Sequence, residues 1–237
     1  MEGSARRRVH KQRALRAKRT SRTCLISQAS LKSFRYRTVK RAADIAIVVL
    51  LSPLLGPLFV ISMIVVRLGS PGPIFYLHRR LRSDGTFFSM WKLRTMCVNS
   101  EKVLNEYLVG HPEARKEWND TRKLRDDPRI TKYGSFLRRY SLDELPQLWN
   151  VLLGQMTLVG PRPIVASEAD KYGDHFECFC KAKSGITGLW QVSGRSRLTY
   201  PERVALDCMY VRSWSLRGDF AILWQTLGVV LRQDGAI

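Results

Sequence analysis

IAIVVLLSPLLGPLFVISMIVV, Ile45–Val66, is a run of 22 residues without a charge. As one helix it measures about 33 Å at 1.5 Å per residue, long enough to cross a bilayer. The middle of the run is broken. Pro53 and Pro57 each lack a backbone donor and press on the carbonyl four residues earlier, and Gly56 loosens the same turn. Ser52 offers a hydroxyl that can rebond a freed carbonyl. A straight span and a bent, re-entrant helix that enters and leaves one leaflet therefore compete. Flanking charge favours the re-entrant form. Lys40 and Arg41 precede the run, and Arg67, Arg79, Arg80, Arg82, Lys92 and Arg94 follow it against Asp84 alone, whereas a single span carries its positive excess at one end. A secretory signal peptide fits poorly, because the run is too long and no small-residue cleavage site follows. A buried core helix is disfavoured by the same length.

Around this run the composition is that of a folded chain. Its 237 residues are 45% hydrophobic, enough for one domain with a core. Lys and Arg number 40 against 20 Asp and Glu, and the excess is uneven: residues 1–41 hold fourteen basic residues and only Glu2 as an acid. The first 35 residues show no hydrophobic period and read as a basic disordered tail. Attraction to anionic lipid is its simplest use, at about 1 kcal/mol per basic residue near the surface. An organelle transit peptide shares the acid-poor composition. Nucleic-acid binding is disfavoured, since no aromatic platform is interleaved with the charges. Five scattered cysteines without a CxxC pair fit a reducing compartment, and the four histidines lie too far apart for a local zinc motif.

Beyond Gly69-Ser70-Pro71-Gly72-Pro73, a turn cluster, Ile74–Leu77 and Thr86–Trp91 read as strands of a hairpin around Ser83-Asp84-Gly85. Glu101–Gly110 reads as a helix stopped by Pro112, and Asp126-Asp127-Pro128 as a turn within the polar segment 119–133. Leu142–Leu153 has helical apolar spacing with Gly154 at the C-terminal cap. Pro201–Arg212 and Asp219–Arg232 read as amphipathic helices. The second carries Phe220, Leu223, Trp224, Leu227, Val230 and Leu231 on one stripe, suited to a core or to the headgroup plane.

Three clusters could carry chemistry. In Arg138-Arg139-Tyr140-Ser141-Leu142-Asp143-Glu144-Leu145-Pro146, Ser141 and Glu144 match a capping box. Two adjacent carboxylates exceed what a cap needs, two arginines sit about one turn upstream, and Pro146 sets the acids at the lip of the helix. In Val159-Gly160-Pro161-Arg162-Pro163, prolines fix the backbone on both sides of Arg162, as bidentate phosphate binding would use; a rigid loop with an exposed arginine is the plainer reading. Ser184–Arg195 is punctuated by glycine and ends in an arginine, weak evidence for phosphate by itself.

From about Thr38 to Leu231 the chain resembles the bacterial sugar transferases that prime polysaccharide assembly, the monotopic polyprenyl-phosphate phosphoglycosyl transferases. The resemblance lies in the order of motifs: Lys40-Arg41 before the apolar run with Ser52-Pro53, then Trp91-Lys92-Leu93-Arg94-Thr95-Met96, Ser141–Leu145, Val159–Pro163 and Gly185–Arg195. It looks most similar to the short exopolysaccharide-priming members that use UDP-galactose or UDP-glucose, without the multi-span N-terminal region of larger relatives. Ser184 departs from the family, which usually has proline there, and residues 1–35 match nothing in it.

The resemblance implies Asp143 as nucleophile, Glu144 as a catalytic residue and magnesium ligand, and Arg138 and Arg162 as phosphate ligands, with Lys92 and Arg195 as further binding candidates. Asp219 falls at a further candidate position, and Ser52-Pro53 would kink the membrane helix. It implies a UDP-sugar, undecaprenyl phosphate and membrane lipid as partners, Mg2+ as cofactor and downstream glycosyltransferases. A homodimer is compatible with the chain. The place implied is the cytoplasmic face of a bacterial inner membrane. The expected fold is α+β, mainly helical, with a basic tail (1–35), a re-entrant membrane helix (36–69) and a small cytosolic catalytic domain (70–237) with interfacial amphipathic helices and a short β-hairpin. The expected reaction moves a sugar 1-phosphate from UDP-sugar to undecaprenyl phosphate, releasing UMP through an aspartyl phosphosugar. A basic membrane adaptor without catalysis, or a glycosyltransferase releasing UDP, are the rivals.

Overall fold

The computed structural model describes residues 34–121 and 124–232. The basic tail, but for its last two expected residues, lies outside them. The described chain is mainly helical with two small sheets. Helix α1 (Phe34–Gly69) carries the apolar run and begins two residues before the expected boundary. A hairpin follows, β1 (Phe75–Leu81) and β2 (Phe87–Leu93), then α2 (Ser100–Gly110), α3 (Pro112–Thr121) and α4 (Lys132–Arg139). A 3-10 turn (Leu142–Glu144) leads into α5 (Gln147–Leu152) and β3 (Thr157–Val159). Two short helices, α6 (Ala169–Tyr172) and α7 (Phe176–Phe179), precede β4 (Gly185–Thr187), which pairs parallel to β3. Helices α8 (Leu189–Ser193), α9 (Tyr200–Ser213) and α10 (Leu216–Arg232) complete the described chain.

Both ends of α1 pack on elements of the same domain. Near its start, Lys40 Nζ donates to Asp219 on α10 at 2.6 Å, and Arg41 donates to the Val151 and Leu152 carbonyls that end α5. Asp44 accepts from Thr157 Oγ1 at 2.6 Å, and Val48 enters the main core with Val151, Val159, Phe179 and Val211. Near its end, Val66 forms a second cluster with Leu93 and Leu137, flanked by Phe59 and Phe75. Arg94 of the chain beyond β2 donates to the Ser70 and Pro71 carbonyls at 2.6 and 2.8 Å. Between these ends the helix is bare: Leu50 and Leu54 are 78% and 71% exposed. Pro53 leaves the Val49 carbonyl without its helical donor, and Ser52 Oγ donates to it at 2.8 Å.

The hairpin divides two environments. Its register runs from Phe75↔Leu93 to Leu81↔Phe87, so alternate residues face opposite sides. Phe75, Trp91 and Leu93 turn towards the end of α1, where the Phe75 ring lies 6.3 Å from Phe59 and 5.6 Å from Trp91. Tyr76, His78, Arg80 and Lys92 line a cleft instead. A one-residue slip would exchange the two rows and turn the core residues Phe88 and Met90 outward, so their burial fixes the register. Both strands run longer than their pattern predicts, because pairing carries the polar His78-Arg79-Arg80 segment of β1 and Lys92 of β2.

Two helix expectations are corrected. Pro112 does not merely stop a helix; it opens α3, since the first turn needs no proline N–H. The single helix expected over Leu142–Leu153 is a 3-10 turn followed by α5, with Pro146 at the junction, while Gly154 follows at φ 73° as a left-handed cap. On α10 the apolar stripe lies mostly outside the core: Ile222 is buried, whereas Phe220, Trp224, Leu227 and Leu231 are exposed.

Candidate active site

Asp143 and Glu144 sit on the 3-10 turn, and the backbone that sets them there is not a capping box. Ser141 is left-handed at φ 55° and makes no capping hydrogen bond through its side chain. The turn is closed by Glu144 N donating to the Ser141 carbonyl at 3.2 Å. Asp143 is consequently buried, at 7% exposure, with its carboxylate free of any cap duty.

Cations from three other elements meet the pair. Lys92 on β2 reaches across, its Nζ 2.7 Å from Glu144 Oε1 and 3.6 Å from Asp143 Oδ2. Arg138, in the last turn of α4, donates from Nε to Thr95 Oγ1 at 2.8 Å. That helix can approach because residue 134 is glycine: a Cβ there would meet the Thr95 carbonyl at 2.1 Å. Arg162 comes from the loop after β3. The loop is clamped by Gly160 N to the Thr187 carbonyl at 2.9 Å, by Gly185 N to the Pro161 carbonyl at 2.8 Å, and by Arg80 Nη1 to the Pro163 carbonyl at 3.2 Å. Gly160 is required by the crossing of β3 and β4, where a Cβ would lie 2.4 Å from the Lys183 carbonyl. Ser184 is buried, and its carbonyl accepts from Thr157 N at 2.9 Å, which holds the loop through the backbone.

Around these groups opens a cleft of about 700 Å³, within the range of small-molecule pockets. Arg80, Arg94, Arg129, Arg138, Arg162, Arg195, Arg203 and Lys92 line it against Glu101, Asp143, Glu144 and Glu168. The cleft is therefore built for a polyanion. Arg162 and Arg203 lie 5.7 and 5.0 Å from the centre of the Trp190 ring. Arg195 is left-handed at φ 51°, so both described non-glycine residues of positive φ, Ser141 and Arg195, belong to the cleft.

Burial pushes the Asp143 carboxyl above its ordinary value; Lys92 opposes this, Glu144 adds to it, and Arg138 opposes it again. Glu144 moves the other way. Burial works against its charge, but Lys92, Arg162 and Arg195 together hold its carboxyl below the ordinary value. The two neighbours thus differ in character: one carboxylate is desolvated and easily spent, the other is firmly ionised.

Asp143, Glu144, Arg138, Arg162, Lys92 and Arg195 all meet in this one cleft. Asp219 does not. It is buried where α10 meets α1, accepting from Lys40, from the Tyr210 hydroxyl at 2.8 Å and from Trp214 Nε1 at 3.0 Å, which marks it as a strut between α1 and α10. Breaking such a buried pair by removing one partner costs about 3–5 kcal/mol. Ser52 and Pro53 lie in the bare middle of α1. Sequence reasoning missed Arg80, His78, Glu168, Trp190 and Arg203; the even-numbered alternation shared by Arg80, His78 and Lys92 was the available signal for the first two.

Among the described residues no group of three or more His, Cys, Asp and Glu is placed to hold a metal ion. The adjacent carboxylates of Asp143 and Glu144 are hard oxygen donors of the kind magnesium takes, and Lys92 Nζ stands against both at 3.6 and 2.7 Å.

A family model described as bacterial sugar transferase matches residues 35–233. The chain is 48% identical over 200 residues to a UDP-galactose-lipid carrier transferase of Erwinia amylovora, covering 84% of this chain and 42% of that protein. It is 45% identical over 197 residues to the exopolysaccharide production protein ExoY of Sinorhizobium fredii, covering 83% and 87%. To the undecaprenyl-phosphate galactose phosphotransferase of Salmonella typhimurium it is 46% identical over 209 residues, covering 88% and 44%. The chain thus spans less than half the length of the first and third of these relatives and most of the second.

Proposed function

Because the chain belongs to the bacterial sugar transferase family, we propose that it moves a sugar 1-phosphate from a UDP-sugar, UDP-galactose or UDP-glucose, to undecaprenyl phosphate at the cytoplasmic face of a bacterial inner membrane. This would be the first membrane step of exopolysaccharide synthesis, and its product would feed glycosyltransferases downstream. The observation that carries the reading is the Asp143 carboxylate, buried beside Lys92 and Arg138 in a cleft lined by arginines.

In the first step an Asp143 oxygen attacks the sugar-bearing phosphorus, the bond to the UMP oxygen breaks, and UMP leaves while an acyl phosphosugar forms on Asp143. In the second, an oxygen of undecaprenyl phosphate attacks that phosphorus, the bond to Asp143 breaks and the carboxylate returns. The bond between the anomeric carbon and its oxygen is untouched, so configuration is retained. Repulsion between carboxylate and phosphates is the obstacle, and Arg138, Arg162 and Arg195 offset it with charge-assisted hydrogen bonds. Lys92 favours the ionised form of Asp143 against the pull of burial and pairs with Glu144. A magnesium ion held by Glu144, with Asp143 adjacent, would neutralise phosphate charge.

UMP release on addition of UDP-galactose or UDP-glucose and undecaprenyl phosphate to membranes holding the protein tests the reading. UDP release instead would mean transfer of the sugar alone, and no nucleotide release would leave a membrane adaptor. The ionisation of Asp143 gives a second test. Lys92→Met removes the nearest opposition to its raised pKa, so the acid limb of kcat/KM moves to higher pH; a limb that stays in place would separate the rate from Asp143.

We also infer that α1 is re-entrant, with residues 36–69 inserted and 70–237 forming the catalytic domain. Support comes from the packing of both helix ends on one domain, which a straight span would hold on opposite sides of the bilayer. Cysteines placed before Lys40 and after Gly69 are expected to react with an impermeant reagent from the same face. Labelling from opposite faces would exclude the hairpin form.

A further inference from the structure

His78 belongs to the cleft-facing row of β1, between Tyr76 and Arg80, and is half-buried. Arg80 Nη2 lies 3.3 Å from its Nδ1. A guanidinium has only hydrogens to give, so Nδ1 is the bare nitrogen and the hydrogen of the neutral ring sits on Nε2. Arg80 is itself fixed, since Nη1 donates to the Pro163 carbonyl and lies 3.6 Å from Glu168 Oε2. Burial, Arg80, Lys92 and Arg162 lower the imidazole to about 4, which keeps the ring uncharged near neutral pH.

A neutral donor among cations has a different task from theirs. Arg80, Lys92 and Arg162 already supply charged donors for phosphate oxygens, which leaves the neutral N–H to pair with an uncharged hydroxyl. Register places the group: Tyr76 pairs with Lys92, so His78 is diagonal to the lysine that touches both catalytic carboxylates. What stays beside Asp143 after UMP departs is the phosphosugar. We propose that His78 is a sugar-reading residue, donating from Nε2 to a hydroxyl of the transferred hexose, with Arg80 as the positioning residue that fixes its tautomer. This rests on the UDP-sugar phosphotransfer reading given above.

The test uses the full chain in membranes and follows UMP release from UDP-galactose, UDP-glucose and monodeoxy analogues of whichever is preferred. In the wild type one deoxy analogue should fall about tenfold in kcat/KM below its parent. In His78→Ala the parent should fall to that level and the same analogue no further, because residue and hydroxyl form one hydrogen bond. Inhibition by UMP, which reports folding and the nucleotide contacts, should stay within about twofold of wild type, a hydrogen bond to the sugar being absent from that complex. His78→Gln, whose amide nitrogen reaches about as far as Nε2, should retain the discrimination, and His78→Asn, whose amide falls near Nδ1, should lose it. Independent, multiplying losses for the residue and every hydroxyl overturn the proposal, as does a parallel loss of UMP affinity or equal behaviour of the Gln and Asn variants. A wild-type chain that releases no UMP from any UDP-sugar refutes the proposed function, and this inference falls with it; UMP release without the coupling refutes this inference alone.

Discussion

Asp143→Asn is expected to lose turnover by at least about 10⁴-fold, the scale on which removal of a nucleophile acts. Asparagine keeps the shape of the side chain on the 3-10 turn and removes the ionisable oxygen, so the change addresses chemistry more than packing. Stability should move differently. The folded protein raises the Asp143 pKa through burial, so near neutral pH the ionised carboxylate is less at ease folded than unfolded, and this penalty vanishes at pH below the ordinary value. Asparagine relieves it, and Lys92 keeps Glu144 at 2.7 Å. The variant's melting temperature at pH 7 should therefore equal or exceed that of the wild type. A helix cap would behave oppositely, losing about 0.5–2 kcal/mol of stability and sparing the reaction. Thermal melts beside UMP release distinguish the two.

Arg162→Gln is expected to cost about 10²–10³ in kcat, the loss typical of one donor aimed at developing charge. The arginine stands on a backbone that neighbouring strands hold at Gly160, Pro161 and Pro163, so the substitution should leave the loop in place and take away only the guanidinium. Arg162→Lys should recover part of the rate, about tenfold, because charge returns without the planar fork. Steady-state kinetics checks this. A fall confined to KM would make Arg162 a ground-state ligand without special hold on the transition state.

The long apolar helix was legible because 22 uncharged residues admit few structures and two prolines mark their middle. The hairpin was legible from Ser83-Asp84-Gly85, with Gly85 at φ 80°, yet its strands were read short because His78-Arg79-Arg80 is polar and only cross-strand partners extend it. The acidic pair was found at the lip of a helix, as Pro146 required, but the left-handed Ser141 that discards the capping box cannot be read from residue type. Long-range geometry was hidden altogether. Lys40 meets Asp219 across 179 positions and Arg80 meets Pro163 across 83, so neither the strut role of Asp219 nor the clamp on the Arg162 loop has a local signature. For the same reason Lys92 was seen as a binding candidate and not as the ion that touches both carboxylates.

The central claim is that Asp143 carries the phosphosugar between donor and acceptor. Intact-protein and peptide mass spectrometry on rapidly quenched reactions, with UDP-sugar present and undecaprenyl phosphate withheld, tests it most directly. The wild type should gain one hexose phosphate on the peptide containing Asp143, lose it when undecaprenyl phosphate is added, and never gain it as Asp143→Asn. UMP accumulating with turnover while no adduct forms on that peptide would contradict the account.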